Sequence, residues 1–326
     1  MRFASYDDAT LDGRLLVVAP DGARATDAAA IAPSLIAALQ DWRTAEPKLR
    51  MLSERLAAGA TEGFALDPAR CLAPLPRAPQ WLDGSAFLNH GRLMEAAFGA
   101  PPIPDFDTVP VMYQGASDDF LGPRAECPFV SEDDGIDCEG EFGVIVDDVP
   151  MAATPQEAAA RIRLIVQIND WSLRKLGAYE MPRGFGFLQA KPSTAFAPFA
   201  VTPDELGPDW RDGRLHLRLG VYRNGERIGA ASGGEMAFSF PQLIAHAART
   251  RRLRTGTIVG SGTVSNQARA AGSSCLAEVR VIEKLDKGEP RTPFLSFGER
   301  IAMEALHADG RPGPFGRMDQ KVIAAR

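Results

Sequence analysis

The stretch Asp137-Cys138-Glu139-Gly140-Glu141-Phe142-Gly143-Val144-Ile145-Val146 sets two glutamates, separated by one glycine, at the head of an apolar run. A run this rich in Val, Ile and Phe reads as a buried strand. Residues i and i+2 of a strand share a face and lie about 7 Å apart. Glu139 and Glu141 would then point into the same apolar surroundings, where they repel each other and each costs desolvation. Something positive must sit between them, and a hard divalent cation with oxygen ligands is the simplest candidate. A third acid, Asp170, follows in Gln167-Ile168-Asn169-Asp170-Trp171-Ser172. It closes a second expected strand, Leu164 to Ile168. Taken singly, a Glu-x-Glu pair is as readily a solvated strand face, and Asp170 a turn residue. The combination and its apolar flanks argue for a site.

The surrounding chain has 326 residues, enough for one large domain or two ordinary ones. It is 45% hydrophobic and 24% charged, ordinary for a globular protein, with a net charge of −6. It has no long basic tract, so neither nucleic acid nor anionic membrane is an expected partner. No apolar run approaches the roughly 20 residues of a membrane span. The start, Met1-Arg2-Phe3-Ala4-Ser5-Tyr6-Asp7-Asp8, lacks the charged-then-apolar layout of a signal peptide. Cys71, Cys127, Cys138 and Cys275 are scattered without metal-ligand spacing and read as reduced thiols. A cytoplasmic protein is expected.

Residues 1–75 read as a small N-terminal α/β unit and 76–326 as a β-rich catalytic domain. In the first, Arg14 to Ala19 is a strand before a Pro-Asp-Gly turn, and helices are expected over about 33–42 and 46–58. Ala73 to Pro79 carries three prolines and reads as a linker. In the second, Thr154-Pro155-Gln156-Glu157 is a capping box that predicts a helix over 155–163. Asn224-Gly225 marks a hairpin. Pro241 to Arg249 reads as a helix, Thr257 to Thr263 as a strand entering a glycine-rich turn, and Leu276 to Glu283 as a further strand.

Outside the acidic stretch, His90 lies in Asp83-Gly84-Ser85-Ala86-Phe87-Leu88-Asn89-His90. Ser85 is an expected N-cap, with a helix running to about Ala97 and Asp83 just before its start. Arg174 and Lys191 would offset a cluster of carboxylates and could hold an anionic substrate. His216, His246 and His307 have no evident partners, and Glu132, Asp133 and Asp134 read as a solvated loop.

In this order the motifs resemble the fumarylacetoacetate hydrolase family, in particular its bacterial members with a small N-terminal domain. The resemblance rests on Asp83 to His90, Pro110-Val111-Met112-Tyr113-Gln114-Gly115, Asp137 to Val146, Asn169 to Arg174, Gly260-Ser261-Gly262-Thr263-Val264-Ser265, and Glu278. It implies a β-rich α+β fold: a rolled mixed β-sheet catalytic domain with a small N-terminal domain, commonly as a homodimer. It implies that Glu139, Glu141 and Asp170, joined by Asp83, bind the metal. His90 matches the catalytic histidine and Glu278 the glutamate that pairs with it. Tyr113, Arg174, Lys191 and Thr263 match substrate-contacting positions. Gly177 and Met181 depart from the pattern, standing where the animal hydrolase has a glutamine and a tyrosine.

The resemblance implies a metal-dependent hydrolase cleaving the C–C bond of a 1,3-diketone acid, fumarylacetoacetate or another acylpyruvate, as in tyrosine catabolism. Glu278 would orient His90, His90 would activate water, and Lys191 would stabilise the leaving enolate. Magnesium and calcium both suit the ligands, and manganese is a third choice. The same fold also carries decarboxylases, isomerases and hydratases of 2-oxo acids, and a non-catalytic binding protein is the remaining alternative.

Overall fold

The computed structural model describes residues 1–98 and 102–325. Its centre is the strand Gly140–Val146, buried along its whole length. Phe142, Val144 and Val146 join one apolar core, while Ile145 on the opposite face joins a second. A strand covered on both sides explains why this run is apolar throughout rather than alternating. It pairs antiparallel with Ile162–Asn169 on one side and with Ile258–Gly260 on the other.

These strands belong to a mixed 11-stranded sheet. Beyond Ile258–Gly260 follow Trp81–Gly84, in parallel register, and then Met112–Gly115, antiparallel. In the other direction, Ile162–Asn169 leads through Ala200–Val201 to the N-terminal strands Arg2–Tyr6, Arg14–Val18, Arg24–Asp27 and Phe64–Ala65. The N-terminal segment therefore extends the central sheet, with Phe3 opposite Ala200. Its helices Leu35–Gln40 and Trp42–Ala57 lay Leu35, Leu39, Leu49 and Leu56 on the second core. The proline-rich connection is fixed too: Ala73 and Leu75 are buried, and Ser5 Oγ donates to the Pro74 carbonyl at 2.7 Å. A five-stranded sheet, ordered Glu226–Ser232, Arg218–Arg223, Arg300–Leu306, Met318–Ala324 and Glu126–Phe129, closes the first core. The architecture is β-rich α+β. Among the described residues no helix is long and apolar enough to cross a membrane.

Several expected elements change. The capping box at Thr154 forms, but its helix ends at Ala159, and the next strand already begins at Ile162. Trp42–Ala57 starts four residues before the expected 46 and tolerates Pro47 in its first turns. Ser85 is not a helix cap. Asp83 lies inside the strand Trp81–Gly84, and the helix runs from Leu88 to Phe98. The expected strand at Leu276–Glu283 is instead a helix, Leu276–Lys287. Its first N–H groups donate to a carboxylate far away in sequence, Asp137, from Leu276 at 2.7 Å and Ala277 at 2.9 Å. That remote cap satisfies the helix start and adds negative charge at the positive end of the helix dipole.

Candidate active site

Sheet register brings the acids together. Asp83 stands beside Gly260 on one neighbouring strand and opposite Tyr113 on the other. Gly260 pairs with Gly143, two residues beyond Glu141 on the central strand. Asp170 follows the adjacent strand, its N–H donating to the Glu139 carbonyl at 2.9 Å. Carboxylate oxygens of Asp83, Glu141 and Asp170 lie within 4.8 Å of one another, and all three residues are buried.

Gly262 completes this floor. Its φ is +75°, and a Cβ there would collide with the Gly84 carbonyl, so only glycine lets the turn approach. Its N–H donates to Asp83 Oδ1 at 3.0 Å. Thr194 Oγ1 and Tyr113 Oη donate to the two oxygens of Asp170, at 2.7 and 2.6 Å. Burial first, then the Asp170 charge, pushes the Tyr113 phenol well above its usual range, so it stays a donor.

Glu139 lies outside the three-acid group. Arg174 Nη1 sits 2.6 Å from its Oε1, and the Lys191 ammonium bonds its other oxygen. Lys191 also reaches Asp170 Oδ2 at 2.5 Å. Burial works against the Glu139 charge, but Arg174 and Lys191 outweigh it and hold the carboxyl well below its usual range. For Lys191, burial is likewise outweighed by Asp170 and Glu139, and the ammonium keeps its charge.

The other acids are left in excess. Burial, then the Asp170 charge, pushes Asp83 up to about 8. Burial, then Asp83 and Asp170, pushes Glu141 well above the usual carboxylate range. Among the described residues neither Glu141 oxygen has a hydrogen-bond partner, although both are buried. Converging acids with orphaned buried oxygens fit a hard divalent cation.

His90 stands on the helix Leu88–Phe98, which packs against Leu276–Lys287. The packing sets His90 Nδ1 2.8 Å from Glu278 Oε1. A carboxylate can only accept, so Nδ1 carries the proton and Nε2 is the free basic nitrogen. Nε2 faces Glu139, 4.0 Å away.

Asp83, His90, Tyr113, Glu139, Glu141, Arg174, Lys191 and Thr263 all line one cleft of about 270 Å³, as do Gly177 and Met181. Asp170 and Glu278 sit directly behind it, bonded to Lys191 and His90. Two polar atoms at the cleft, Thr263 Oγ1 and Arg174 Nη2, are buried without partners among the described residues and are suited to substrate oxygens. Of the other histidines, His216 accepts from Arg211 and His307 pairs with Asp209, each at 2.8 Å, so both have surface partners the sequence did not disclose.

Three supporting residues escaped the sequence reading. Asp137 joins the Glu278 helix to Arg174, whose Nε lies 2.8 Å from Oδ2. Asn169 Oδ1 accepts the Glu139 N–H at 3.1 Å. Thr194 holds Asp170. Asp137 was the most accessible of these, because it continues the alternation of acids at 137, 139 and 141.

Comparison with known proteins covers nearly the whole chain. The family model described as fumarylacetoacetate (FAA) hydrolase C-terminal matches residues 80–323, and fumarylacetoacetase N-terminal domain 2 matches residues 1–77. A 2,4-didehydro-3-deoxy-L-rhamnonate hydrolase of Sphingomonas sp. (strain SKA58) is 30% identical over 165 residues, 50% of this chain and 54% of that protein. A fumarylacetoacetase of Aspergillus fumigatus is 25% identical over 278 residues, 69% of this chain and 64% of that protein. This chain thus matches less than two thirds of the length of either relative. In structure, a maleylpyruvate hydrolase from Sphingobium sp. SYK-6, in complex with manganese (II) ion and pyruvate, superposes with a TM-score of 0.66 over 100% of both chains at 16% identity. The fumarylacetoacetate hydrolase of Exiguobacterium antarcticum gives the same TM-score over 100% of both chains at 18% identity.

Proposed function

This chain belongs to the fumarylacetoacetate hydrolase family, and from that premise we propose that it is a divalent-metal-dependent hydrolase cleaving the carbon–carbon bond of an acylpyruvate. The observation that carries the reading is the His90–Glu278 pair set at the wall of a cleft whose floor holds Asp83 and Glu141, with Asp170 directly behind them. A general base beside an acidic cation site is what hydrolysis of a diketone requires. The same geometry is idle in a binding module.

Asp83, Glu141 and Asp170, with Glu139 beside them, would hold the metal; magnesium, calcium and manganese all accept such oxygen ligands. When bound, the ion supplies Lewis acidity for the diketone oxygens. Arg174 Nη2 and Thr263 Oγ1 donate to the oxygens of the pyruvyl portion, and Tyr113 lines the cleft beside them with its O–H on Asp170. His90 Nε2 removes a proton from water as its oxygen adds to the acyl carbonyl carbon, and Glu278 stabilises the imidazolium that forms. The bond between that carbon and the methylene then breaks, leaving its electron pair on the pyruvate enolate. Lys191 stabilises this anion, and a proton delivered to carbon gives pyruvate and a carboxylic acid.

The test follows loss of diketone absorbance across a panel of acylpyruvates with magnesium present. Turnover should stop in EDTA and return with added metal. His90→Ala should lose about 10²–10⁴-fold in kcat while keeping the rise in melting temperature caused by magnesium. Normal turnover by His90→Ala, or action on oxaloacetate alone, would move the protein to the decarboxylase and isomerase class.

A further inference from the structure

The cleft has two zones of opposite character. Charge is concentrated on its floor, whereas the outer wall is formed by Met94, Ile103, Phe106, Val111, Met181 and Phe187. Among the described residues lining the cleft, the lysine and arginine side chains are Lys191 and Arg174 alone, and both are engaged by Glu139 at the floor. The ionisable side chain in the outer wall is an acid, Glu95, one of whose oxygens accepts the Ile103 N–H at 3.0 Å. A substituent leaving the reacting carbonyl toward the mouth therefore meets apolar surface and a negative charge, with no lysine or arginine among the described residues of the outer wall to receive a carboxylate.

The wall is specified by particular residues. A Cβ at position 91 would overlap the Phe106 ring, so that ring lies on the helix only because residue 91 is glycine. Phe106 is thereby buried against the helix that carries His90. Phe187 stands edge-on to Tyr113, with ring centroids 5.3 Å apart. At Gly177 a Cβ would meet only the Ala190 methyl, at 3.8 Å, so the space beside it is open.

We propose that the substrate is an acylpyruvate with an uncharged, apolar acyl tail, and that Phe106 and Met181 set this preference against tails ending in a carboxylate. The proposal rests on the hydrolase reading above and deepens it. Partition of a flexible tail into such a pocket improves kcat/KM by about fourfold per methylene buried. An anionic end beside Glu95 must instead be desolvated without a partner.

The experiment compares 2,4-dioxopentanoate, 2,4-dioxononanoate and 2,4-dioxononanedioate as substrates of the magnesium-loaded protein. The nine-carbon monoacid should exceed the five-carbon one by tenfold or more in kcat/KM, and the diacid of equal length by a similar factor. Met181→Arg places a cation at a half-exposed position of the mouth and should shrink or reverse the monoacid-to-diacid ratio. A diacid cleaved as well as the monoacid, or a ratio unmoved in Met181→Arg, overturns the proposal. Calorimetric binding separates this from failure of the hydrolase reading. If none of the three compounds is cleaved but the nine-carbon monoacid binds at least tenfold tighter than the diacid, the pocket assignment stands and the hydrolase reading falls. Equal binding, or no binding of either, overturns the pocket assignment itself.

Discussion

Replacing Asp83 with asparagine isolates the electrostatics of the acidic group, because the two side chains share one shape. Asp83 Oδ1 accepts the Gly262 N–H at 3.0 Å, and asparagine keeps that acceptor. Burial, then the Asp170 charge, raises Asp83 from 3.8 to about 8 in the metal-free protein. Between those two values the unfolded chain has released its proton and the folded chain has not. The folded state then binds more protons, so its stability falls as pH rises across that window. At about 1.36 kcal/mol per pH unit, the penalty is on the order of 6 kcal/mol by pH 8 and roughly 1–2 kcal/mol at pH 5. Asparagine cannot ionise and removes the penalty. Its amide must be desolvated in turn, at about 1–3 kcal/mol. The net gain is roughly 3–5 kcal/mol at pH 8 and close to zero at pH 5.

An unfolding entropy of about 2.1 cal/mol/K per residue, taken over 326 residues, turns that gain into a melting temperature roughly 4–7 °C higher. The assay is calorimetric melting of both proteins in EDTA at pH 5 and pH 8, repeated with magnesium. Wild type at pH 8 should gain about 2.7 kcal/mol, or about 4 °C, when magnesium stands at a hundred times its Kd. Asp83→Asn should gain far less. The site would thus be less stable with its native residue than without it until a cation arrives. An asparagine variant that melts below wild type in EDTA at pH 8, or that keeps the full magnesium shift, refutes the reasoning.

Two further outcomes follow from the geometry around His90. Glu278→Gln keeps an acceptor for the His90 Nδ1–H but loses the charge that stabilises the imidazolium, so kcat should fall about 10–100-fold with KM little changed; steady-state kinetics on one acylpyruvate decide this, and a pure KM effect would contradict the assigned role. Gly91→Ala should force the Phe106 ring off the helix, costing about 1–3 kcal/mol of stability. It should raise KM for a long apolar tail more than for 2,4-dioxopentanoate, and an equal rise for both would show the wall is not a tail pocket.

What could be read directly from sequence were interactions close in the chain. The Glu139-Gly140-Glu141 spacing and its apolar flank state their own electrostatic problem, and the strand forms over the apolar run, Gly140–Val146, with Glu139 just before it. The capping box at Thr154 and the hairpin at Asn224-Gly225 formed for the same reason. Asp83 and His90 carried meaning only through the resemblance, because nothing local says that a strand will set Asp83 beside Gly260 or that a helix will aim His90 at residue 278.

The misread segment shows where local pattern fails. Glu278-Val279-Arg280-Val281 alternates polar and apolar residues as a half-buried strand would. Yet the residues the fold buries are Leu276, Ala277, Glu278 and Val281, a helical face, and one of them is a carboxylate. The deciding partner lies 139 residues away: Asp137, which takes the N–H groups of Leu276 and Ala277 and the guanidinium of Arg174. One buried carboxylate thus anchors the helix that presents Glu278 to His90 and the arginine that holds Glu139. Asp137 lies on the same chain segment as the acids it supports, so the quoted decapeptide supplies both two carboxylates of the site and the brace that aligns its base. The role of Asp137 is not legible locally, because the brace acts only once the remote helix has docked.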